Sequence, residues 1–193
     1  MSTNSDFKVM AFSSAKVWEH WLADCHAETG GVWLRFYKKE SATLSVSYDE
    51  ALAVALCYGW IDGQLKKYDD MSWLRKFTPR RAKSIWSKRN CDLAEQLLKS
   101  KKMKSAGLKE ISAAKADGRW ERAYDSPSKM TVPDDFLKQL YRNKKALSFF
   151  KTLNKANIYA ISWRLQTAKK PETRDERMNT ILDMLAKGKA IHE

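Results

Sequence analysis

The sequence predicts an α+β fold: a small, mostly antiparallel sheet with flanking helices in the N-terminal half, and a helical C-terminal half. Three observations carry this. Gly31 to Tyr37 is a short run of β-formers. Trp60 to Tyr68 and Met71 to Thr78 are two more such runs, separated by the Asp69-Asp70 turn, and read as a hairpin. Beyond Pro79 no strand pattern returns and the apolar residues recur at helical spacing. With 193 residues, 44% of them hydrophobic, the chain can fill a core. Its 7 Gly and 4 Pro exclude a collagen-like or linker-like chain.

The elements follow in order. Trp18, Trp21, Leu22 and Cys25 recur at i, i+3, i+4 and i+7, so residues 14–28 form an amphipathic helix stopped by Gly30-Gly31. The first strand then uses Val32, Trp33, Leu34, Phe36 and Tyr37, with Trp33 at a core-like phase. Ser47 and Glu50 have the spacing of a capping box. They open a helix through Ala51, Leu52, Val54, Ala55 and Leu56, closed by Gly59 as its C′ residue. The hairpin supplies strands two and three, with Ile61, Leu65, Trp73 and Phe77 as apolar positions, and Pro79 ends it.

Ser87 is placed to cap a helix carrying Leu93, Ala94, Leu97 and Leu98. Leu108, Ile111 and Lys115 mark a second, ended by Gly118. Trp120 to Val132, with Pro127, is a long loop or domain joint. Pro133 to Arg142 reads as a helix with Pro at N1. Lys144 to Leu153 is another, and Asn154 caps a third through Ile158, Ile161 and Leu165. Thr173 and Glu176 suggest a capping box before the stripe Met178, Ile181, Leu182 and Leu185, which Gly188 ends. The division expected is an α+β domain with a basic junction over 1–118 and a helical domain or packed extension over 119–193.

Charge is the unusual quantity. Lys plus Arg number 36 against 23 Asp plus Glu, a net +13. Residues 1–65 carry 5 basic and 8 acidic groups, whereas residues 66–104 carry 13 and 4. That focus attracts phosphates or other polyanions, or serves solubility alone. The longest mainly apolar stretch, Ala51 to Ile61, is about half of the ~20 residues that cross a bilayer, so no membrane span is expected. Met1 to Lys16 has no apolar core of a signal peptide. With Cys25, Cys57 and Cys91 at spacings that match no zinc or redox motif, the expectation is a cytoplasmic protein with reduced core thiols.

The best site candidate is the junction Phe77-Thr-Pro-Arg80-Arg81-Ala-Lys83-Ser84-Ile-Trp86-Ser87-Lys88-Arg89-Asn90. It sets five cations within ten residues, beside hydroxyls, an indole and an amide, at a helix N-terminus that favours anions. Arg80 and Arg81 can each clamp a phosphate or carboxylate bidentately. Ser84 and Ser87 can donate hydrogen bonds, and Trp86 can stack on a base or sugar. The plainer reading makes Ser87 an N-cap, Trp86 core, and one arginine a partner of Asp62 or Glu50. Asp62, beside Trp60, is open to two readings: binding a ribose hydroxyl or acting as a base, or bonding the turn backbone or an arginine. The predicted ligand-binding set is thus Trp60, Asp62, Arg80, Arg81, Ser84, Trp86, Ser87 and Asn90. Lys99 to Lys104 reads as a solvated helix end.

His20 and His26 sit six apart on one helix and make no metal pair, and His192 lies at the tail. There is no Gly-rich phosphate loop and no Ser-His-Asp or Cys-His arrangement to argue for. No metal, cofactor or catalytic residue is expected.

Val46-Ser-Tyr-Asp-Glu-Ala-Leu, Cys57-Tyr-Gly-Trp-Ile-Asp-Gly63, Phe77-Thr-Pro-Arg-Arg81, Ser84-Ile-Trp-Ser87 and Asn90 occur in an order that resembles the YdeI/OmpD-associated, or bacteriocin-protection, family. Trp120-Glu-Arg-Ala-Tyr-Asp125 and Ala168-Lys-Lys-Pro-Glu-Thr-Arg174 extend the resemblance over roughly residues 15–190. It implies a bacterial protein with a role in protection against bacteriocins or antimicrobial peptides, and implies no reaction or cofactor. Such peptides are usually cationic, so a +13 protein sequesters them poorly. An indirect route inside the cell follows as the expectation, through binding of a small phosphorylated or anionic ligand without catalysis. The alternatives are nucleic-acid binding by the basic 66–104 segment and an enzyme of unspecified reaction using Asp62. About five phosphate contacts by that segment would give a log–log salt slope near −4 on duplex DNA.

Overall fold

The computed structural model describes residues 7–126 and 129–192. Two compact units result: one runs to Trp86 and resumes over Asn90–Ala123, and the other joins Ser87–Arg89 to the chain from Tyr124 onward. In chain order the elements up to Ala116 are β1 (Val9–Met10), α1 (Ala15–Cys25), β2 (Val32–Tyr37), α2 (Tyr48–Cys57), β3 (Trp60–Lys67), β4 (Ser72–Pro79), α3 (Lys88–Lys99) and α4 (Ser105–Ala116).

The strands form a four-stranded sheet in the order β1-β2-β4-β3. β2 pairs antiparallel with β4, and β4 with β3, as the hairpin reading requires. β1 is an addition, a two-residue strand parallel to β2 that carries no periodic signal. The register fixes the faces. Val32 lies opposite Phe77, Leu34 opposite Arg75 and Phe36 opposite Trp73, so these share one face. Val32, Leu34, Phe36 and Phe77 belong to the core of this unit, together with Trp18, Leu22, Leu52, Leu56 and Trp60.

Trp33, Arg35 and Tyr37 take the other face with Lys76, Leu74 and Ser72. This corrects the core-like phase expected for Trp33. A continuous apolar run hides the two-residue alternation, and the register resolves it. Cys25 is likewise only half-buried, while Cys57 and Cys91 are buried.

Local chemistry sets the helices. Ser14 Oγ accepts from Val17 N–H and starts α1. Ser47 and Glu50 make the capping box in both directions and start α2. α2 ends at Gly59, whose φ of +72° is the left-handed conformation that turns the chain into β3. Around Trp18 the ring of Trp21 stacks at 5.2 Å, and Trp60 and Phe77 meet it edge-on.

The second unit contains α5 (Asp134–Arg142), α6 (Lys144–Phe150), α7 (Lys155–Gln166) and α8 (Pro171–Ala186). Phe136, Leu140, Ala146, Ile161, Leu165, Met178, Ile181 and Leu185 are its buried apolar residues. Asn154 caps α7, accepting from Asn157 N–H at 2.9 Å. Two helix starts differ from expectation. Pro133 is the N-cap of α5, with ψ 139°, rather than its first helical residue. Pro171 occupies the first turn of α8, so Thr173 and Glu176 lie inside the helix and form no capping box. Proline's fixed φ and missing N–H suit N1, and that preference outweighs the Thr-x-x-Glu pattern. Pro127 lies outside the described residues. Among the described residues no helix is long and apolar enough to cross a membrane.

Candidate functional site

The reversal from α2 into β3 places Trp60 and Arg80 side by side. Trp60 pairs with Pro79 in the sheet, and Arg80 N–H donates to Gly59 O at 2.9 Å. Trp60 is 1% exposed and its Nε1–H donates to His26 O at 3.1 Å. Its ring is thus a core ring whose polar edge is already used.

Asp62, two residues on, turns toward α2. Its Oδ2 accepts from Tyr48 O–H at 2.7 Å and from Arg75 Nε and Nη2 at 2.9 and 2.6 Å. Burial, and then the charge of Asp62, push the Tyr48 phenol above its usual range. The partner of Asp62 is therefore an arginine, as the plainer reading held, but it is Arg75 rather than Arg80 or Arg81. Sequence reasoning missed Arg75 and Tyr48. The available signal was the period of two along β4, which puts Arg75 on the same face as Trp73 and Phe77.

The segment from Arg80 onward is built around a buried stack. Arg80 is 7% exposed, and its guanidinium carbon lies 3.6 Å from the Trp86 ring centroid. Nη1 reaches Ile85 O at 3.4 Å. Trp86 is 2% exposed, and its ring tilts against Trp120 at 4.9 Å. Its Nε1–H has no hydrogen-bond acceptor among the described residues.

Ser84 closes the turn. Its Oγ accepts from Arg81 N–H at 3.1 Å, and its N–H donates to Arg81 O at 2.8 Å. Ser84 O accepts from Arg119 Nη1 at 2.8 Å, and Arg119, 5% exposed, is held by Asp117. Arg81 and Lys83 project from this turn into solvent, and neither forms an ion pair among the described residues.

Ser87 directly precedes α3 and makes a parallel bridge with Tyr124. Lys88 N–H donates to Tyr124 O, and Lys88 Nζ pairs with Asp125 at 2.7 Å. Asn90 is buried in the first turn of α3. The geometry thus joins Trp60 to Arg80 through the backbone, Arg80 to Trp86 through a stack, and Arg81 to Ser84 through a turn. Among the described residues no hydrogen bond or ion pair links Asp62 to residues 80–90. Chemically, the exposed part of the segment is a cationic turn closed by Ser84.

Comparison with known proteins divides the chain in two. Residues 10–110 match a family model described as a domain of unknown function, DUF8412. Residues 129–188 match the model described as bacteriocin-protection, YdeI or OmpD-associated. The second match lies in the tail of the resemblance, whereas the motifs of residues 46–90 fall within the first. No curated protein and no solved structure matches the chain. The chain belongs to the DUF8412 family through residues 10–110, and over residues 129–188 it is similar to the bacteriocin-protection, YdeI or OmpD-associated family.

Proposed function

We propose that the protein contributes to protection against bacteriocins or antimicrobial peptides by an indirect route inside the cell. In this reading it binds a small phosphorylated or anionic ligand, without catalysis, at the Arg81–Ser84 turn. The match over residues 129–188 supports the protective role. The net charge of +13 argues against direct capture of cationic peptides. The observation that carries the binding reading is the turn itself. Arg81 and Lys83 are exposed without counter-charges, on a loop held by Ser84, Arg119 and the Arg80–Trp86 stack. A preorganised cation pair of this kind binds an anion with little ordering cost. The enzyme reading is weaker, because Tyr48 and Arg75 engage Asp62 in a part-buried structural pair through Oδ2.

The test is a tryptophan-fluorescence titration of the full chain with mononucleotides and phospho-sugars, at low and at about 0.3 M salt. Trp86 and Trp120 are the reporters beside the turn. The expected result is saturable binding that survives salt and weakens about tenfold or more in Arg81→Ala, at an unchanged melting temperature. Absence of saturable binding, or an Arg81→Ala variant that loses stability and keeps affinity, rejects the site. Unchanged peptide sensitivity after deletion of the gene rejects the protective role.

A further inference from the structure

The face of the sheet turned away from the core carries a second, separate chemistry. Across β2, β4 and β3 it presents Trp33, Arg35 and Tyr37, then Lys76 and Leu74, then Lys66, with Tyr68 just beyond β3. Leu74 is buried at the centre of this face, Trp33, Arg35, Tyr37 and Lys76 are half-buried around it, and Lys66 and Tyr68 are exposed; none of them joins the two hydrophobic clusters. Trp33 is the notable member. Six of the other tryptophans join or pack on the first core, and Trp163 meets Tyr124 edge-on. Trp33 does neither, and stacks on no ring among the described residues. It is half-buried, so part of its indole stays open to solvent on this face.

The rest of the face is set in place around it. The Arg35 guanidinium lies 4.5 Å from the Tyr37 ring centroid and 4.6 Å from that of Tyr68. Its Nη2 pairs with Asp69 at 2.6 Å, and its Nε donates to Ser72 Oγ at 3.0 Å. Two rings are thereby fixed on one cation whose own charge is matched. Lys66 and Lys76 supply the uncompensated charge. Lys66 is exposed, and Lys76 Nζ sits 4.3 Å from the Phe7 ring centroid. Neither lysine forms an ion pair among the described residues. Trp33 and Tyr37, four residues apart on one strand, are about 13 Å from each other.

We propose that this half-exposed sheet face binds single-stranded nucleic acid. Unpaired bases stack on Trp33 and on the Tyr37 and Tyr68 rings, and Lys66 and Lys76 contact the backbone phosphates. Rings interleaved with cations on a flat face recognise base planes, which a duplex hides within its stack. A four-stranded face is broader than the helix or two-stranded ribbon that a duplex groove admits. The inference does not rest on the Arg81 turn, which lies outside this face.

Fluorescence anisotropy on the full chain tests it, with labelled thymine and uracil oligonucleotides about twelve nucleotides long and a duplex of the same length. Binding is followed between about 50 and 200 mM salt. The single strands are expected to bind at least tenfold more tightly than the duplex. Trp33→Ala weakens that binding about tenfold or more, and Trp33→Phe restores most of it. Lys66→Ala with Lys76→Ala flattens the log–log salt slope by about 1.4. Arg81→Ala leaves all of this unchanged. The proposal is overturned if the duplex binds as well as the single strands, or if an acidic peptide of equal length competes as effectively. It is also overturned if Trp33→Ala binds like the parent. Should Trp33→Ala fail to fold, an unchanged salt slope in the double lysine variant overturns it as well.

Discussion

Arg75 and Asp62 meet diagonally across adjacent antiparallel strands, with both Nε and Nη2 of the arginine on one carboxylate oxygen, at 2.9 and 2.6 Å. Their side chains are 23% and 12% exposed, so the pair is largely withdrawn from water. Breaking such a pair from one side leaves the other charge stranded, whereas replacing both members by apolar groups is nearly neutral. Asp62→Asn is therefore expected to cost about 2 kcal/mol, discounted from a fully buried pair for the remaining exposure. Asp62→Leu combined with Arg75→Met is expected to recover most of that loss. Urea unfolding measures both. A stability change below about 0.5 kcal/mol in Asp62→Asn would release Asp62 from its structural role and reopen it as a chemical group.

A second prediction comes from the meeting of α2 and α4. Gly107 lies where α4 crosses the end of α2. A Cβ there would stand 2.5 Å from Cys57 O, 2.6 Å from Leu56 O and 2.4 Å from Met103 Sδ. The methionine can move, but the two carbonyls belong to the last turn of a helix. Alanine is the better helix former by about 1 kcal/mol, yet overpacking costs about 1–3 kcal/mol. With two backbone atoms inside contact distance the steric cost wins. Gly107→Ala should lower the melting temperature by several degrees, about 2–4 °C per kcal/mol for a chain of this size. A rise in melting temperature would mean that the two helices part easily.

How much of this was legible from residues alone depended on how local the signal is. The capping box of Ser47 and Glu50 is written in four consecutive residues, and the structure reproduces it. The hairpin of β3 and β4 follows from two β-rich runs and a short polar turn, which is equally local. Trp33 was misplaced because its neighbours on the strand are apolar as well, so only pairing with β4 reveals its face. The same reason hid Arg75 as the partner of Asp62, since the two stand 13 positions apart across a turn. In the candidate site Trp60 and Trp86 are both buried, which the plainer reading anticipated for Trp86 alone. The exposure of Arg81 and Lys83, by contrast, depends on the turn that Ser84 closes, which composition cannot encode.

The thiols give a prediction with a clear pH dependence. Burial pushes Cys57 up to about 11 and Cys91 up to about 12, while Cys25 is half-buried. Since the thiolate is the reacting species, the two buried cysteines are almost wholly protonated at about pH 8. An aromatic disulfide reagent at that pH should modify one thiol per native chain, at Cys25, and all three in denaturant. Raised values in the folded state also mean that these thiols favour folding fully below the ordinary thiol range. That contribution is lost as pH rises toward 11 and 12. Rapid labelling of Cys57 at pH 8 would instead report local opening at the end of α2.

The final prediction concerns Asn157, a buried amide on α7 that no motif singled out. It is 3% exposed and saturated by hydrogen bonds. Its Oδ1 accepts from the backbone N–H groups of Ile191 and His192, at 2.9 and 2.8 Å. Its Nδ2 donates to His192 O at 3.2 Å and to Asn154 Oδ1 at 3.1 Å. One side chain thus satisfies three backbone groups of the chain's end and ties that end to the cap of α7. Truncating it removes four hydrogen bonds at once and strips the half-buried Ile191 N–H of its partner, while the exposed His192 groups turn to water. Asn157→Ala should lose about 2–3 kcal/mol in urea unfolding. Asn157→Asp keeps both acceptor contacts but loses the donor and buries a charge, so it should be destabilised to a similar degree rather than rescued. Hydrogen exchange separates the local effect from the global one. In Asn157→Ala, the amides of Ile191 and His192 should exchange at rates near those of an open chain, while the core amides of α8 around Ile181 remain protected. Unchanged protection at Ile191 would show that apolar packing of that residue on the second core, rather than the amide, holds the end of the chain in place.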